Sequence, residues 1–114
     1  MDHIEIISLA KREAYAAATA LLKEWYDGKD SGMCGFAWVT IYPKHKGNTR
    51  DGRKERKVLR EMGFELDWTG KSFQWWNPSG LGVQNVDSKY KGAVKAAEVL
   101  KQHGFDAFPS SRLD

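Results

Sequence analysis

The spacing of hydrophobic residues divides the chain into segments with helical and with strand periodicity. From residue 4 to residue 27 apolar side chains recur at steps of three and four, which predicts an amphipathic helix. Its apolar stripe consists of Ile7, Ala10, Ala14, Ala17 or Ala18, Leu21 and Trp25. From Cys34 to Tyr42 apolar residues alternate, which predicts a β-strand. Pro43 ends this strand because proline cannot donate a hydrogen bond to a sheet.

The rest of the chain changes period in the same way twice more. Gly63 and Gly104 each stand where a helix is expected to end, and a phenylalanine opens the next strand in both places. The predicted elements are a helix at about 51–62, a strand at 64–68, a hairpin turn at 69–71, a strand at 72–76, a helix from Asp87 or Ser88 to His103, a strand at 105–109 and a polar tail at 110–114.

The element order predicts an α+β fold, a ferredoxin-like βαββαβ sandwich with an extra N-terminal helix. Right-handed crossovers would place the two later helices on one side of a four-stranded antiparallel sheet. With 114 residues the chain is expected to form a single domain. Within it we predict an N-terminal helix and flexible hinge at residues 1–30 and the ferredoxin-like part at residues 33–114.

The two sides of the first strand differ in chemistry. Ala37, Val39 and Ile41 lie on one side, and the other side carries Phe36, Trp38, Thr40 and Tyr42. In the third strand either Phe73 and Trp75 or Gln74 and Trp76 share the side of Trp38, because the sequence leaves the register open. The predicted aromatic binding residues are Phe36, Trp38, Tyr42 and Trp75. Such a surface resembles the base-stacking sheets of RNA-recognition modules.

The N-terminal helix offers a simpler use for this aromatic surface. Its apolar stripe has to be buried, and laying it across Phe36 and Trp38 would form a second core. A homodimer that pairs two such surfaces would bury them equally well. We therefore expect the aromatic side of the sheet to be covered, by the helix or by a second copy of the chain.

Charge is concentrated in one segment. The net charge is only +3, yet residues 44–60 hold eight Lys and Arg against Asp51 and Glu55. This asymmetry points to an anionic partner, although a solvated helix face is the commoner outcome. The predicted basic binding residues are Lys44, Lys46, Arg50, Arg53, Lys54 and Lys57. The basic residues on the helix are expected to lie on the side of the sheet that the two crossover helices cover, opposite the aromatic residues. Only residues 44–50 are then expected to reach the rim of the aromatic side.

No residue pattern predicts catalysis, a cofactor or a metal site. His3, His45 and His103 are scattered without the spacing of metal ligands, and Cys34 is the only cysteine. The N-terminus lacks the features of a signal peptide, and no apolar run approaches the length of a membrane span. We predict a non-enzymatic protein without cofactors that does not enter a membrane.

Two segments resemble a family of small proteins encoded by tailed bacteriophages. The resemblance covers roughly residues 12–114 and is most specific at Cys34-Gly35-Phe36-Ala37-Trp38-Val39 and at Ser111-Arg112-Leu113-Asp114. The family has no established activity, so the resemblance implies only a setting, the cytoplasm of an infected bacterium. It also makes Arg112 and Asp114 candidate docking residues. The segment at residues 44–57 is longer and more basic in this chain than in the family.

Two functions fit these features. The first is a non-enzymatic phage accessory protein that binds a host macromolecule, such as a defence or nucleic-acid-processing complex, through its aromatic side or basic edge. The alternative is a direct single-stranded nucleic-acid-binding module that combines aromatic stacking with the basic segment at 44–57. The partner is thus a host or phage protein, or nucleic acid, and a homodimer is also compatible with the pattern.

Overall fold

A computed structural model describes all 114 residues as three helices and a four-stranded antiparallel sheet. The fold is therefore α+β, as predicted. The elements are α1 (His3–Tyr26), β1 (Gly35–Ile41), α2 (Arg50–Glu61), β2 (Glu65–Leu66), β3 (Phe73–Trp76), α3 (Val86–Gln102) and β4 (Ala107–Leu113).

Short-range signals set the helix boundaries. Asp2, Thr49 and Asn85 cap the N-termini of α1, α2 and α3, each accepting a hydrogen bond from a backbone N–H of the first turn. Gly63 and Gly104 follow α2 and α3 with positive φ angles of 98° and 92°. Such angles favour glycine, so these two glycines mark the ends of α2 and α3 already in the sequence.

The strands lie in the order β2-β3-β1-β4, so that β1 and β3 form the centre of the sheet. Trp38 pairs with Trp76 on one side and with Ser110 on the other. β2 contains only two residues, fewer than the predicted strand at 64–68. β4 is longer than predicted, because its pairing with β1 continues to Leu113 and includes most of the predicted polar tail. Pro109 is tolerated there because β4 is an edge strand.

All three helices contribute to a single hydrophobic core on one side of the sheet. Ala37, Val39 and Ile41 of β1 are each no more than 2% exposed and belong to the same cluster as Leu59 of α2 and Leu100 of α3. The same cluster includes Ile6, Ile7, Ala10 and Ala14 of α1. This side of the sheet is called the inner side below, and the opposite side the outer side.

The position of α1 contradicts the expectation that this helix covers the aromatic side of the sheet. Its main neighbour is α3, and the two helices run antiparallel, since the Tyr26 hydroxyl donates a hydrogen bond to Asp87 at the start of α3. Near the middle of the pair, a Cβ added to Gly92 would lie 3.2 Å from the carbonyl oxygen of Ala14. The alanine-rich face of α1 thus packs closely on a helix rather than on the sheet.

The predicted stripe of α1 is shifted at its end. Leu22 is buried, whereas Leu21 is half-buried and Trp25 is 62% exposed. The buried positions Ala10, Ala14, Ala18 and Leu22 follow steps of four, which keep one narrow line of the helix against α3.

The predicted hinge after α1 is held in place by hydrogen bonds. The Asp30 carboxylate accepts hydrogen bonds from the backbone N–H groups of Gln84 and Asn85, each at 3.0 Å. The Asn85 side chain donates in turn to the carbonyl oxygen of Ser31. Residues 1–30 therefore share both the core and this network with residues 33–114.

Gly52 allows the basic loop to dock on the first turn of α2. A Cβ at this position would overlap the carbonyl oxygen of Lys46 and lie 2.6 Å from its carbonyl carbon. That carbonyl group is fixed because the Thr49 hydroxyl donates to it at 2.6 Å, and the same hydroxyl accepts from the N–H of Gly52 at 3.0 Å. The loop and the helix start cannot both keep their positions with a larger residue.

We predict that Gly52→Ala destabilises the protein although alanine favours helix formation by about 1 kcal/mol over glycine. The expected loss in the free energy of unfolding is about 1–3 kcal/mol, as for an overpacked site. Chemical denaturation followed by circular dichroism measures it. Gly82→Ala is the matched control, since a Cβ there meets no atom within 4 Å. Equal stability of the Gly52→Ala protein and the wild type would contradict the close packing described here.

Candidate binding surface on the outer side of the sheet

Five aromatic residues lie on the outer side of the sheet, where no helix packs. They come from three adjacent strands or their ends and are called the aromatic face: Phe36, Trp38, Tyr42, Trp76 and Phe108. Phe36, Tyr42, Trp76 and Phe108 are 38%, 49%, 45% and 42% exposed, and Trp38 at the centre is half-buried. The sequence correctly placed Phe36, Trp38 and Tyr42 on one side of β1.

The register of β3 removes Trp75 from the predicted set of binding residues. Trp75 pairs with Val39 and Trp76 with Trp38, so Trp75 shares the inner side and Trp76 the outer side. Trp75 packs against the core and forms an edge-to-face contact with Phe64 at 5.8 Å between ring centroids. Of the two registers that the sequence allowed, the structure has the one in which Gln74 and Trp76 lie on the outer side.

Three rings of the aromatic face form a cluster at the end of the sheet where β1 begins. The indoles of Trp38 and Trp76 stack with 4.6 Å between centroids and an interplanar angle of 27°. Phe36 meets Trp76 edge to face at 6.3 Å. These contacts are the arrangements that aromatic pairs prefer, and they fix the rings while leaving part of each in solvent. This group is called cluster A.

The other two rings lie at the opposite end of β1. Tyr42 follows the last residue of β1, and Phe108 lies on β4 opposite Thr40. Their rings meet edge to face with 5.8 Å between centroids. This pair is called cluster B. Between the clusters the sheet carries small or polar side chains, Thr40 on β1 and Ser110 on β4.

Cationic side chains lie beside both clusters. The Arg112 guanidinium is 5.5 Å and the Lys89 Nζ 5.7 Å from the centroid of Phe36 in cluster A. Lys89 is nearly buried, and its Nζ donates to the carbonyl oxygen of Gly35 at 3.1 Å. In cluster B the Lys101 Nζ is 5.2 Å from the centroid of Phe108. All three distances lie within the range of cation–π attraction.

Lys44 adds a further cation near cluster B. Its Nζ donates to the carbonyl oxygen of Gly104, and together with Lys101 and Phe108 it lines a shallow cavity that Asp106 also borders. Its backbone is held by the Glu55 carboxylate, which accepts from the N–H groups of Lys44 and His45 at 2.7 and 3.0 Å. Partial burial raises the pKa of Glu55, but these hydrogen bonds outweigh it and leave the pKa below its usual value.

Most of the predicted basic segment lies away from the aromatic face. α2 packs on the inner side through Leu59, and the guanidinium of Arg60 lies 5.4 Å from the ring of Phe73, which also belongs to the core. The cations at 50, 53, 54 and 57 belong to this helix and are exposed. As the sequence predicted, the cations at 53, 54 and 57 lie on a helix that packs on the inner side. Arg50, which was expected to belong to the loop that reaches the aromatic rim, is the first residue of α2 instead. Of the predicted basic residues only Lys44 lines the cavity beside cluster B.

The structure adds four residues to the predicted surface: Trp76, Phe108, Lys89 and Lys101. It also places Arg112, which only the family resemblance had suggested, directly on the face opposite Phe36. Alternation along Phe108, Ser110 and Arg112 would have shown that they share one side, had the strand been extended past Pro109. Lys89 and Lys101 gave no local signal, because helical residues reach these rings only through tertiary packing.

The hairpin between β2 and β3 presents a separate exposed indole. Trp68 is 95% exposed, next to Asp67, whose carboxylate accepts from the Ser72 hydroxyl at 2.6 Å and the Thr69 hydroxyl at 2.7 Å. These hydrogen bonds lower the pKa of Asp67 to about 2. The turn predicted at residues 69–71 is thus held by side-chain hydrogen bonds, and Gly70 supplies its positive φ angle.

No group of three or more His, Cys, Asp and Glu side chains is arranged to hold a metal ion. None of the helices combines the length and the apolar character needed to cross a bilayer. The chain matches no protein-family model, no curated protein and no solved structure.

Proposed function

We propose that this protein is a non-enzymatic binding module that recognises a macromolecular partner through the aromatic face. The observation that carries this proposal is the exposure of Phe36, Tyr42, Trp76 and Phe108 on a side of the sheet where no helix packs. Contiguous exposed apolar patches on soluble proteins mark interaction sites. Aromatic and arginine side chains, here the five rings and Arg112, are also the residues most enriched in binding hot spots.

The proposed fold class is a ferredoxin-like sandwich with an added N-terminal helix. The element order after α1 and the central position of β1 and β3 in an antiparallel sheet support this assignment. In such a sandwich both crossover helices lie on one side, which leaves the other side of the sheet free for a partner. α1 joins the helical side and so leaves the aromatic face open.

The proposed setting is the cytoplasm of an infected bacterium, with the protein acting as a phage accessory factor. The support is the resemblance of Cys34–Val39 and Ser111–Asp114 to small phage proteins. The two segments lie mainly on the paired strands β1 and β4, and this pairing brings Phe36 and Arg112 side by side on the outer side. The partner would then be a host macromolecule, a component of a defence or nucleic-acid-processing complex.

Immobilised protein incubated with a bacterial host lysate tests this function. We expect the wild type to retain a defined set of macromolecules. The Trp38→Ala/Trp76→Ala protein is expected to retain at least tenfold less of them, because aromatic side chains that become buried in an interface contribute most of the binding energy. Mass spectrometry and nucleic-acid staining quantify what is retained, with and without nuclease treatment.

Trp25→Ala is the control, because this tryptophan is also exposed, at 62%, but lies on α1. Its retention is expected to equal that of the wild type. Retention that is the same for the wild type and the Trp38→Ala/Trp76→Ala protein would show that the aromatic face is not the binding surface.

A further inference from the structure

We propose that the partner of the aromatic face is a single-stranded nucleic acid, with bases stacked on clusters A and B and phosphates held by the cations beside them. This inference rests on the proposed function, since it names the occupant of the same surface. It assigns the phosphate contacts to Arg112, Lys101 and Lys44, and it excludes the exposed cations of α2 that the sequence had suggested. Lys89 is not counted among these contacts, because it is nearly buried and its Nζ donates to the carbonyl oxygen of Gly35.

Cluster A combines stacking surface with two positive charges. Trp76 is 45% exposed and stacks on Trp38, so a base stacked on its exposed surface would extend this pair of nearly parallel rings. Arg112 and Lys89 lie within 6 Å of the centroid of the adjacent Phe36. A base stacked here has its phosphate within reach of a guanidinium that is exposed to solvent.

Cluster B repeats this combination independently. Tyr42 and Phe108 expose about half of their surfaces, and Lys101 lies 5.2 Å from the centroid of Phe108. Lys44 lines the same cavity as Lys101 and Phe108. Because the side chains come from β4, α3 and the segment that follows β1, their convergence on one edge is a property of the tertiary structure.

The spacing of the clusters suits a short extended strand. Phe36 and Tyr42 are six residues apart on β1, which corresponds to about 20 Å along a strand. Thr40 and Ser110 between them leave the surface free of bulky side chains. A strand of on the order of four nucleotides would span both clusters, which is the lower end of site sizes for single-strand binding domains.

The placement of cations beside the exposed rings favours nucleic acid over a protein partner. Four cations border the aromatic face, against Glu65 on β2, Asp106 in the cluster B cavity and Asp114 beyond β4. Three of those cations lie beside an aromatic ring. A ligand that offers flat rings joined by negative charges matches this pattern. Duplexes do not, because their bases are stacked and paired inside the helix.

Fluorescence anisotropy with fluorescein-labelled ten-nucleotide oligonucleotides, oligo(dT) and oligo(U), tests the proposal. We expect binding at low salt that weakens as salt rises, with a slope of log K against log salt of about −2 for three phosphate contacts. Trp76→Ala is expected to weaken binding roughly 5- to 150-fold, the range for one stacked base. Phe108→Ala, on an edge strand, should also weaken oligonucleotide binding. It replaces Trp76→Ala as the test if the latter does not fold.

Two double variants of equal charge locate the phosphate contacts. Arg112→Gln/Lys101→Gln is expected to reduce the salt slope by about 1.4, as for two lost contacts to a single strand. Lys54→Gln/Lys57→Gln removes the same charge from the exposed side of α2 and should leave the slope unchanged. If the α2 variant weakens binding as much as the Arg112/Lys101 variant, the nucleic acid lies on α2 and the proposal is overturned.

Two further outcomes distinguish a failure of this inference from a failure of the proposed function. Absence of oligonucleotide binding at low salt overturns this inference, while retention of a nuclease-resistant partner that depends on Trp76 leaves the proposed function intact. Dimerisation that Trp76→Ala abolishes, detected by sedimentation velocity and not accompanied by oligonucleotide binding, overturns both, because a second copy would then cover the aromatic face.

Discussion

Removal of residues 1–27 is expected to abolish cooperative folding of the rest of the chain. Ile6, Ile7 and Leu22 of α1 are buried, and burial of each large aliphatic side chain contributes about 1.5–3 kcal/mol. Three such residues approach the total stability of a small domain, about 5–15 kcal/mol. The truncated protein would also expose the small-residue face of α3. We expect no cooperative thermal transition by circular dichroism, and binding of a hydrophobic dye.

Two substitutions within the full chain test the same packing without a truncation. Ile7→Ala is expected to cost about 2–5 kcal/mol because Ile7 is 4% exposed, whereas Ile4→Ala, at a 47% exposed site one turn away, should change stability by less than about 0.5 kcal/mol. Urea denaturation measures both. A truncated protein that unfolds cooperatively, with its tryptophans more accessible to acrylamide than those of full-length Trp25→Ala, would show that α1 covers the sheet after all.

Phe73→Ala should cost about 3–5 kcal/mol in the free energy of unfolding, as expected for a fully buried phenylalanine. Phe73 is 0% exposed and lies in the core beneath α2, where the Arg60 guanidinium contacts its ring. Trp76→Ala, three residues further along β3, should cost far less although it removes more atoms. Its indole is 45% exposed, and its loss removes mainly the stacking on Trp38, worth about 0.5–1.5 kcal/mol.

This comparison tests the register of β3 directly. A shift of one residue would exchange the two sides of the strand, bringing Phe73 and Trp75 to the surface and burying Trp76. The order of the two losses would then reverse. Guanidinium chloride unfolding of both variants, followed by far-ultraviolet circular dichroism, distinguishes the two registers. The result also decides whether Trp76 is available to a partner, on which the proposed binding surface depends.

Core and surface substitutions differ in what they say about function. Ile7 and Phe73 determine whether the protein folds, and their loss is expected to reduce every activity in proportion to the unfolded fraction. Trp76, Phe108 and Arg112 are exposed, so their replacement should reduce binding with little change in stability. A variant that keeps the stability of the wild type and loses its partner therefore identifies the surface more clearly than any core substitution.

Local patterns were sufficient for the elements and for one side of the central strand. Helical periodicity from Ile7 to Leu21 predicted α1, and the glycines after α2 and α3 placed their ends, since capping and propensity act within a few residues. Alternation in β1 separated Ala37, Val39 and Ile41 from Phe36, Trp38 and Tyr42. The element order then predicted the α+β class and the four-stranded sheet.

The register of β3 and the partner of α1 could not be read in this way. Trp75 and Trp76 are identical in chemistry, and only the hydrogen-bonded pairing with β1 decides which of them faces the core. α1 has an apolar stripe that fits a sheet or another helix equally well. The alanines of α1 pack on α3, because Gly92 lets the backbones of the two helices approach closely at Ala14.

The sequence by itself thus determined the order of the helices and strands, the α+β class and the aromatic character of one side of β1. Only the tertiary structure decided that this side stays open, that Trp76 and not Trp75 belongs to it, and that Arg112, Lys101 and Lys89 lie beside its rings. The physical reason is distance along the chain: helices and turns are set by neighbours within a few residues. The aromatic face, in contrast, joins residues up to about seventy positions apart, whose contacts form only when the sheet and its helices pack.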